Sequence, residues 1–187
     1  GRWHCTHVSE GCRNCYAERL NVRWGGPAYT PGADTFRLDE KVLEQPLRWK
    51  KPRKVFVCDM TDLFHEDIPN KFIFKMWLVM EKCPQHTFQI LTKRPQRMRE
   101  FLAYGFMGLG RPNTYTPGEN IWLGVSVEDQ ATADERIPLL MRTPAALRFV
   151  SYEPALGPVD FMRHAPGFLG SHMTIDWLII GGESGPK

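Results

Sequence analysis

Five short runs of β-forming residues begin roughly thirty residues apart: 54–58 (KVFVC), 87–91 (TFQIL), 121–127 (IWLGVSV), 147–151 (LRFVS) and 176–180 (DWLII). These intervals are too wide for hairpins, whose loops take about two to five residues. The stretch 70–83 between the first two runs places Phe72, Ile73, Met76, Trp77 and Met80 on one helical face, with Asn70 positioned as an N-cap. Stretches 95–102 and 129–140 read as further helices. Strands alternating with helices at this spacing make βα units around a parallel sheet. The nearly unbroken apolar character of the strands agrees, since parallel strands are buried on both faces.

Polar residues recur at one place in this rhythm. Asp59, Thr61 and Asp62 follow the first strand, Thr92 and Lys93 the second, Glu128 and Asp129 the third, Glu153 the fourth, and Gly181, Gly182 and Glu183 the fifth. Barrel and open α/β proteins alike build their sites at the carboxyl ends of parallel strands, so a shared site is expected there. The turn-rich stretches 25–35 and 104–120 read as insertions or linkers. At 187 residues the chain suits one domain over 1–187. No strand precedes the cysteines, and the chain stops after a glycine-rich turn, so truncation at both ends is expected.

The composition, 42% hydrophobic and 24% charged, is that of globular material, and a net charge of +3 does not by itself call for an anionic partner. No apolar run reaches membrane-span length and no signal peptide is visible, so no membrane association and a cytoplasmic location are expected. Five cysteines are present, and three of them, Cys5, Cys12 and Cys15, fall in the pattern C-x6-C-x2-C. Such crowding suits metal binding in a reducing compartment. Three thiolates hold a 4Fe–4S cluster with one iron left open, which points to catalysis rather than electron storage. Two other readings stand beside it: a Cys3His zinc site completed by His4 or His7, and unligated thiols.

The stretch GRWHCTHVSEGCRNCYAERL resembles the three-cysteine loop of a family of phage and prophage proteins related to radical SAM enzymes. Further matches follow in order: VFVCDMTDLFHEDIP, FQILTKRPQRM, IWLGVSVEDQ, LRFVSYEPALGPVD and DWLIIGGESG. More distantly, the motif order is similar to that of spore photoproduct lyase-like radical SAM proteins. The resemblance implies a partial TIM-like (β/α)6 barrel with the cluster at its mouth, in a bacterial or phage-infected cell. It also implies S-adenosylmethionine bound to the open iron, an electron donor, and hydrogen abstraction from a substrate that the residues do not identify. Two features depart from most radical SAM enzymes, which space their cysteines C-x3-C-x2-C with an aromatic residue before the last. Here the first gap is six, and Asn14 stands before Cys15. The Gly-Gly-Glu element that many of those enzymes carry after the second strand appears only at Gly181–Gly182–Glu183, while Asp59–Asp62 follows the first strand.

For the cofactor, the candidates are Asp62, Lys93, Ser126, Glu128, Glu153, Gly182 and Glu183. Lys93 offers a point charge for a carboxylate, Ser126 and Glu128 partners for a ribose hydroxyl or an amino group, and Glu153 a carboxylate aimed by the turn at Pro154. Each also reads as ordinary polar structure. Asp59, Asp62, His65, Glu66 and Asp67 could bind a divalent metal, as in a hydrolase, or form a polar loop. Cys58 and Cys83 read as core or surface thiols, and Met76 and Met80 as core. The basic runs RWKKPRK (48–54) and KRPQRMR (93–99) fit solvated faces or nucleic-acid phosphates, with Trp49 available to stack. A nucleic-acid-binding protein with a structural zinc or iron–sulfur site and no catalysis is the alternative to an enzyme.

Overall fold

The computed structural model describes residues 3–30, 38–105, 116–164 and 174–183. Five parallel strands form one sheet in consecutive order: β1 (Lys54–Val57), β2 (Thr87–Thr92), β3 (Ile121–Val127), β4 (Leu147–Tyr152) and β5 (Trp177–Ile180). Each expected strand is present to within one residue at either end. The α/β class with a parallel sheet therefore holds, with five strands among the described residues where about six were expected.

The helices are α1 (Tyr16–Arg23), α2 (Glu40–Leu43), α3 (Asn70–Glu81), α4 (Pro95–Glu100) and α5 (Gln130–Met141). Pro69, not Asn70, caps α3: its φ of −61° and extended ψ leave its carbonyl to accept from the amides of Phe72 and Ile73. Asn70 opens the helix itself, and its side chain accepts from Arg97. Asp129 caps α5 through a reciprocal box with Thr132. α4 starts at Pro95 and runs into a π turn over Phe101–Gly105, so the expected helix 95–102 is covered.

One face of the sheet carries the core. Val57, Ile90 and Leu123 stand in register across β1 to β3, as do Val125 and Val150 across β3 and β4. They pack with Ile73 and Trp77 of α3, Met98 of α4, and Ile137 and Leu140 of α5. The opposite face, through Leu91, Ser126, Ser151 and Ile179, is left for the cavity described below.

The chain leaves α1 through a Schellman turn: Gly25 sits at φ 78°, its amide donates to Val22 O, and the Gly26 amide donates to Asn21 O. Of the two expected insertions, residues 31–35 and 106–115 lie outside the described residues. No helix among the described residues is long and apolar enough to cross a membrane.

Candidate functional site

A cavity of about 380 Å³ opens at the carboxyl ends of the strands, within the ~300–1,000 Å³ common for small-molecule sites. Every strand contributes. Phe56 lies in β1, Leu91 in β2, Ser126 in β3, Ser151 in β4 and Ile179 in β5, while Cys58, Lys93, Glu153, Gly182 and Glu183 follow the ends of β1, β2, β4 and β5. Those within or next to a strand share one face, because side chains alternate along a strand. Cys5, Cys12 and Cys15 line the same cavity, and none of the three forms a disulfide.

The cysteine loop is seated on this sheet by polar contacts to several strand ends. Thr61 Oγ1 donates to His4 O, Tyr16 OH to Asp59 O at 2.7 Å, and Tyr29 OH to Met60 O at 2.6 Å. These three bind the loop to the segment after β1. At β3, Ser9 Oγ donates to Glu128 at 3.0 Å; at β5, Asn14 Nδ2 donates to Glu183 at 2.6 Å. At β2 the Arg94 fork donates to Thr6 Oγ1 at 2.7 Å, to Asp62 at 3.3 Å and to Glu66 at 2.8 Å, and its Nη1 stands 4.0 Å from Cys5 Sγ. Burial alone would pull the Arg94 pKa down, but Asp62, the Cys5 thiol and Glu66 together raise it.

Six of the seven expected cofactor residues line the cavity: Asp62, Lys93, Ser126, Glu153, Gly182 and Glu183. Their availability differs. Asp62 is saturated, accepting from Thr92 Oγ1 at 2.7 Å and from the amides of Lys93 and Phe64 at 3.0 and 2.9 Å. Lys93 Nζ donates to Ser126 Oγ at 2.7 Å and stands 3.3 Å from Glu128. Glu153 is exposed at the mouth. The seventh, Glu128, is not among the lining residues. It lies buried, with Arg136 Nη1 at 3.1 Å as a second cation.

The structure adds residues that sequence reasoning passed over. Arg94 belongs to a basic run read as a solvated face or a phosphate contact. Tyr29 lies in a stretch read as a linker, and Tyr16 and Thr6 in the cysteine motif carried no role. Cys58, expected as a core or surface thiol, packs against the core and also lines the cavity, at a φ of 58°, a conformation that costs a side-chain-bearing residue roughly 1–2 kcal/mol. Cys83 is in the core as expected.

Desolvation pushes the Cys5 thiol up to about 11, with Arg94 pulling the other way. It pushes Cys58 up to about 12, helped by Asp62 and Asp59. A thiol so disfavoured as an anion ionises readily once it binds a metal. Among the described residues, the three sulfurs do not form a group whose ligand atoms all lie within 4.8 Å of one another. A single tetrahedral ion with Zn–S bonds of ~2.3 Å needs sulfurs about 3.8 Å apart. A cluster takes each thiolate on a different iron and tolerates wider spacing. The histidines named for the zinc reading face elsewhere: His7 bonds Glu18 at 2.7 Å, and the His4 ring packs against those of Tyr29 and His65.

The two basic runs divide. In the second, Lys93 and Arg94 are engaged as above, and Arg97 bonds Ile68 O and Asn70. In the first, Arg48, Lys50, Lys51, Arg53 and Lys54 are exposed and form no ion pair among the described residues. Arg53 stacks on Trp49 at 4.7 Å, and Lys54 lies 5.9 Å from the Trp122 ring. Lys54 opens β1, so this run sits at the amino end of the sheet, away from the cavity.

The family described as "Protein of unknown function (DUF5131)" matches residues 2–187. The chain belongs to this family. No curated protein and no solved structure matches it. For this DUF5131 member, a functional reading rests on the cavity itself.

Proposed function

We propose that the chain is an iron–sulfur, S-adenosylmethionine-dependent radical enzyme on a partial (β/α) barrel, in keeping with its resemblance to proteins related to radical SAM enzymes. One observation carries the reading: Cys5, Cys12 and Cys15 share a single cavity with the carboxyl ends of all five parallel strands. The consecutive strand order and the placement of core helices on one face favour barrel winding, since doubly wound sheets reverse their order.

Cys5, Cys12 and Cys15 would hold the cluster. When bound, a 4Fe–4S cluster and S-adenosylmethionine supply an electron and a 5′-deoxyadenosyl radical, given an external reductant. The protein's own part is binding, orientation and exclusion of water. Lys93 places a cation at the mouth and Ser126 a hydroxyl beside it. Glu153 and Glu183 offer carboxylates to an ammonium group or a ribose. Phe56, Met60, Leu91 and Ile179 supply the apolar wall. Glu128 and Arg94 act one step back, by seating the cysteine loop.

Protein purified without oxygen and reconstituted with iron and sulfide should show broad visible absorbance. Changing any one of Cys5, Cys12 or Cys15 to Ala should abolish it, and Cys83→Ala should not. The reduced protein should cleave S-adenosylmethionine to methionine and 5′-deoxyadenosine. Colourless protein carrying stoichiometric zinc on these cysteines would refute the proposal.

A nucleic acid is the macromolecular partner that the exposed run RWKKPRK favours, through phosphate contacts from its cations and stacking on Trp49. Because the run lies at the amino end of the sheet, it would tether a strand without placing it in the cavity.

A further inference from the structure

A second cluster of ligand-type side chains lies outside the cavity lining. His4 and His65 are buried, 3% and 0% exposed, and Asp67 stands exposed beside them. One nitrogen or oxygen from each of the three lies within 4.8 Å of the other two. His65 Nδ1 is 3.8 Å from Asp67 Oδ2, a gap that one ion bridges with bonds of about 2.0–2.2 Å to imidazole nitrogen and carboxylate oxygen.

The hydrogen bonds settle the tautomer. Nδ1 of His65 accepts the Asp67 amide at 3.2 Å, so its proton sits on Nε2; an ion at Nδ1 takes over the lone pair that this long contact now uses. Nε2 then donates to Thr6 Oγ1 at 2.9 Å. A metal-binding imidazole is held in the same way, its second nitrogen donating to an oxygen that fixes the ring. Burial, and after it the Arg94 guanidinium, lowers the His65 pKa and so favours the neutral form that a metal requires. The charge on Arg94 is itself met by Asp62 and Glu66.

We propose that His4, His65 and Asp67 form a site for a zinc-type divalent cation, distinct from the three thiols. Two imidazoles and a carboxylate match the donor preference of Zn2+, and three protein ligands leave a fourth position for water. The ion cross-links the residue immediately before Cys5 to the loop after β1. It thereby fixes the entry of the cysteine loop, and the site shares no ligand with a cluster.

The test uses the whole chain with Cys5, Cys12 and Cys15 all changed to Ser, titrated with Zn2+ and, as a spectroscopic probe, Co2+. The expected result is one equivalent of metal bound without thiolate charge-transfer bands. Affinity should fall at least tenfold in His65→Gln and in Asp67→Asn added to that background, with unchanged far-UV circular dichroism. Zinc should also raise the Tm of the parent and not of these variants. Absence of stoichiometric uptake, or uptake unaltered by both substitutions, overturns the site. Should the triple Ser variant fail to fold, the intact chain is loaded with Co2+ instead. Tetrahedral bands diminished by His65→Gln support the site, and a purely thiolate spectrum indifferent to His65→Gln overturns it. Loss of visible colour on changing the thiols bears on the cluster alone.

Discussion

Gly11 lies flat against Glu128: a β-carbon built on the glycine falls 2.3 Å from Glu128 Cγ. The cysteine loop thus reaches the end of β3 only because residue 11 has no side chain. Gly11→Ala should cost about 1–3 kcal/mol, the usual range for overpacking, and should speed alkylation of the neighbouring Cys12. Urea denaturation and mass-spectrometric alkylation rates measure both. An unchanged loop and unchanged stability would mean that Glu128 is not its seat.

Glu128 and Lys93 touch each other but should fail differently. Glu128→Ala leaves Arg136 buried without its carboxylate, which should cost about 3–5 kcal/mol. Lys93, partly exposed, should cost less than about 1 kcal/mol on change to Ala while weakening S-adenosylmethionine binding with the thiol ligands intact. Denaturation midpoints and calorimetric titration separate the two. Equal stability losses would contradict this division of labour.

Arg94→Ala removes the cation beside Asp62 but leaves that carboxylate its bonds from Thr92, Lys93 and Phe64. The loss should therefore be about 2–3 kcal/mol, below the ~3–5 typical of a broken buried pair. Arg94→Lys should not rescue it, since a single ammonium cannot span Asp62, Glu66 and Thr6 together. Recovery of wild-type stability by lysine would show that charge alone matters.

The Cys58 thiol, raised from 9.0 to about 12, holds its proton where an unfolded chain has begun to lose it. The unfolded state then binds fewer protons, so the stability contributed by this group falls as pH rises from about 9 toward 12. In the metal-free folded protein, Cys58 should resist iodoacetamide at pH 8 and react promptly after unfolding. Prompt labelling of folded protein at pH 8 would show that desolvation does not hold this thiol protonated.

If the first basic run binds nucleic acid, replacing Lys50, Lys51 and Lys54 by Ala should flatten the salt dependence by up to about 0.9 per phosphate contact on duplex DNA. Lys93→Ala and Arg97→Ala should leave the slope unchanged, because those cations are engaged within the fold. Fluorescence anisotropy across a salt series decides it. A flat slope in the unaltered protein would remove nucleic acid as a partner.

The strands were legible because each combines β-forming residues with polar punctuation at one end, and the same punctuation marked eight of the lining residues. Residues whose roles depend on where chain segments meet were not legible. Arg94 follows Lys93 in an apparently solvated run, and only the approach of Thr6 and Glu66 converts it to a latch. Tyr29 sits among turn formers and gains its place from the Met60 carbonyl. Glu128 has the parity of Ser126, yet the capping box at Asp129 and Thr132 leads into α5, where Arg136 draws the carboxylate inward. Cys58 was within reach of simple counting, since it shares strand parity with Phe56. The helix α1 was missed because its buried residues, Ala17 and Asn21, make a weak apolar stripe.

The anchors of the cysteine loop have a consequence for biogenesis. Ser9 waits for Glu128 across 119 residues, and Asn14 for Glu183 across 169. On a chain emerging from the ribosome amino end first, the thiols appear early and their seat is completed late. Until then they are solvent-facing and open to oxidation or to adventitious metal. If the three thiols hold a cluster, its loading is therefore a post-synthetic event, and these cysteines must stay reduced for as long as the sheet takes to assemble.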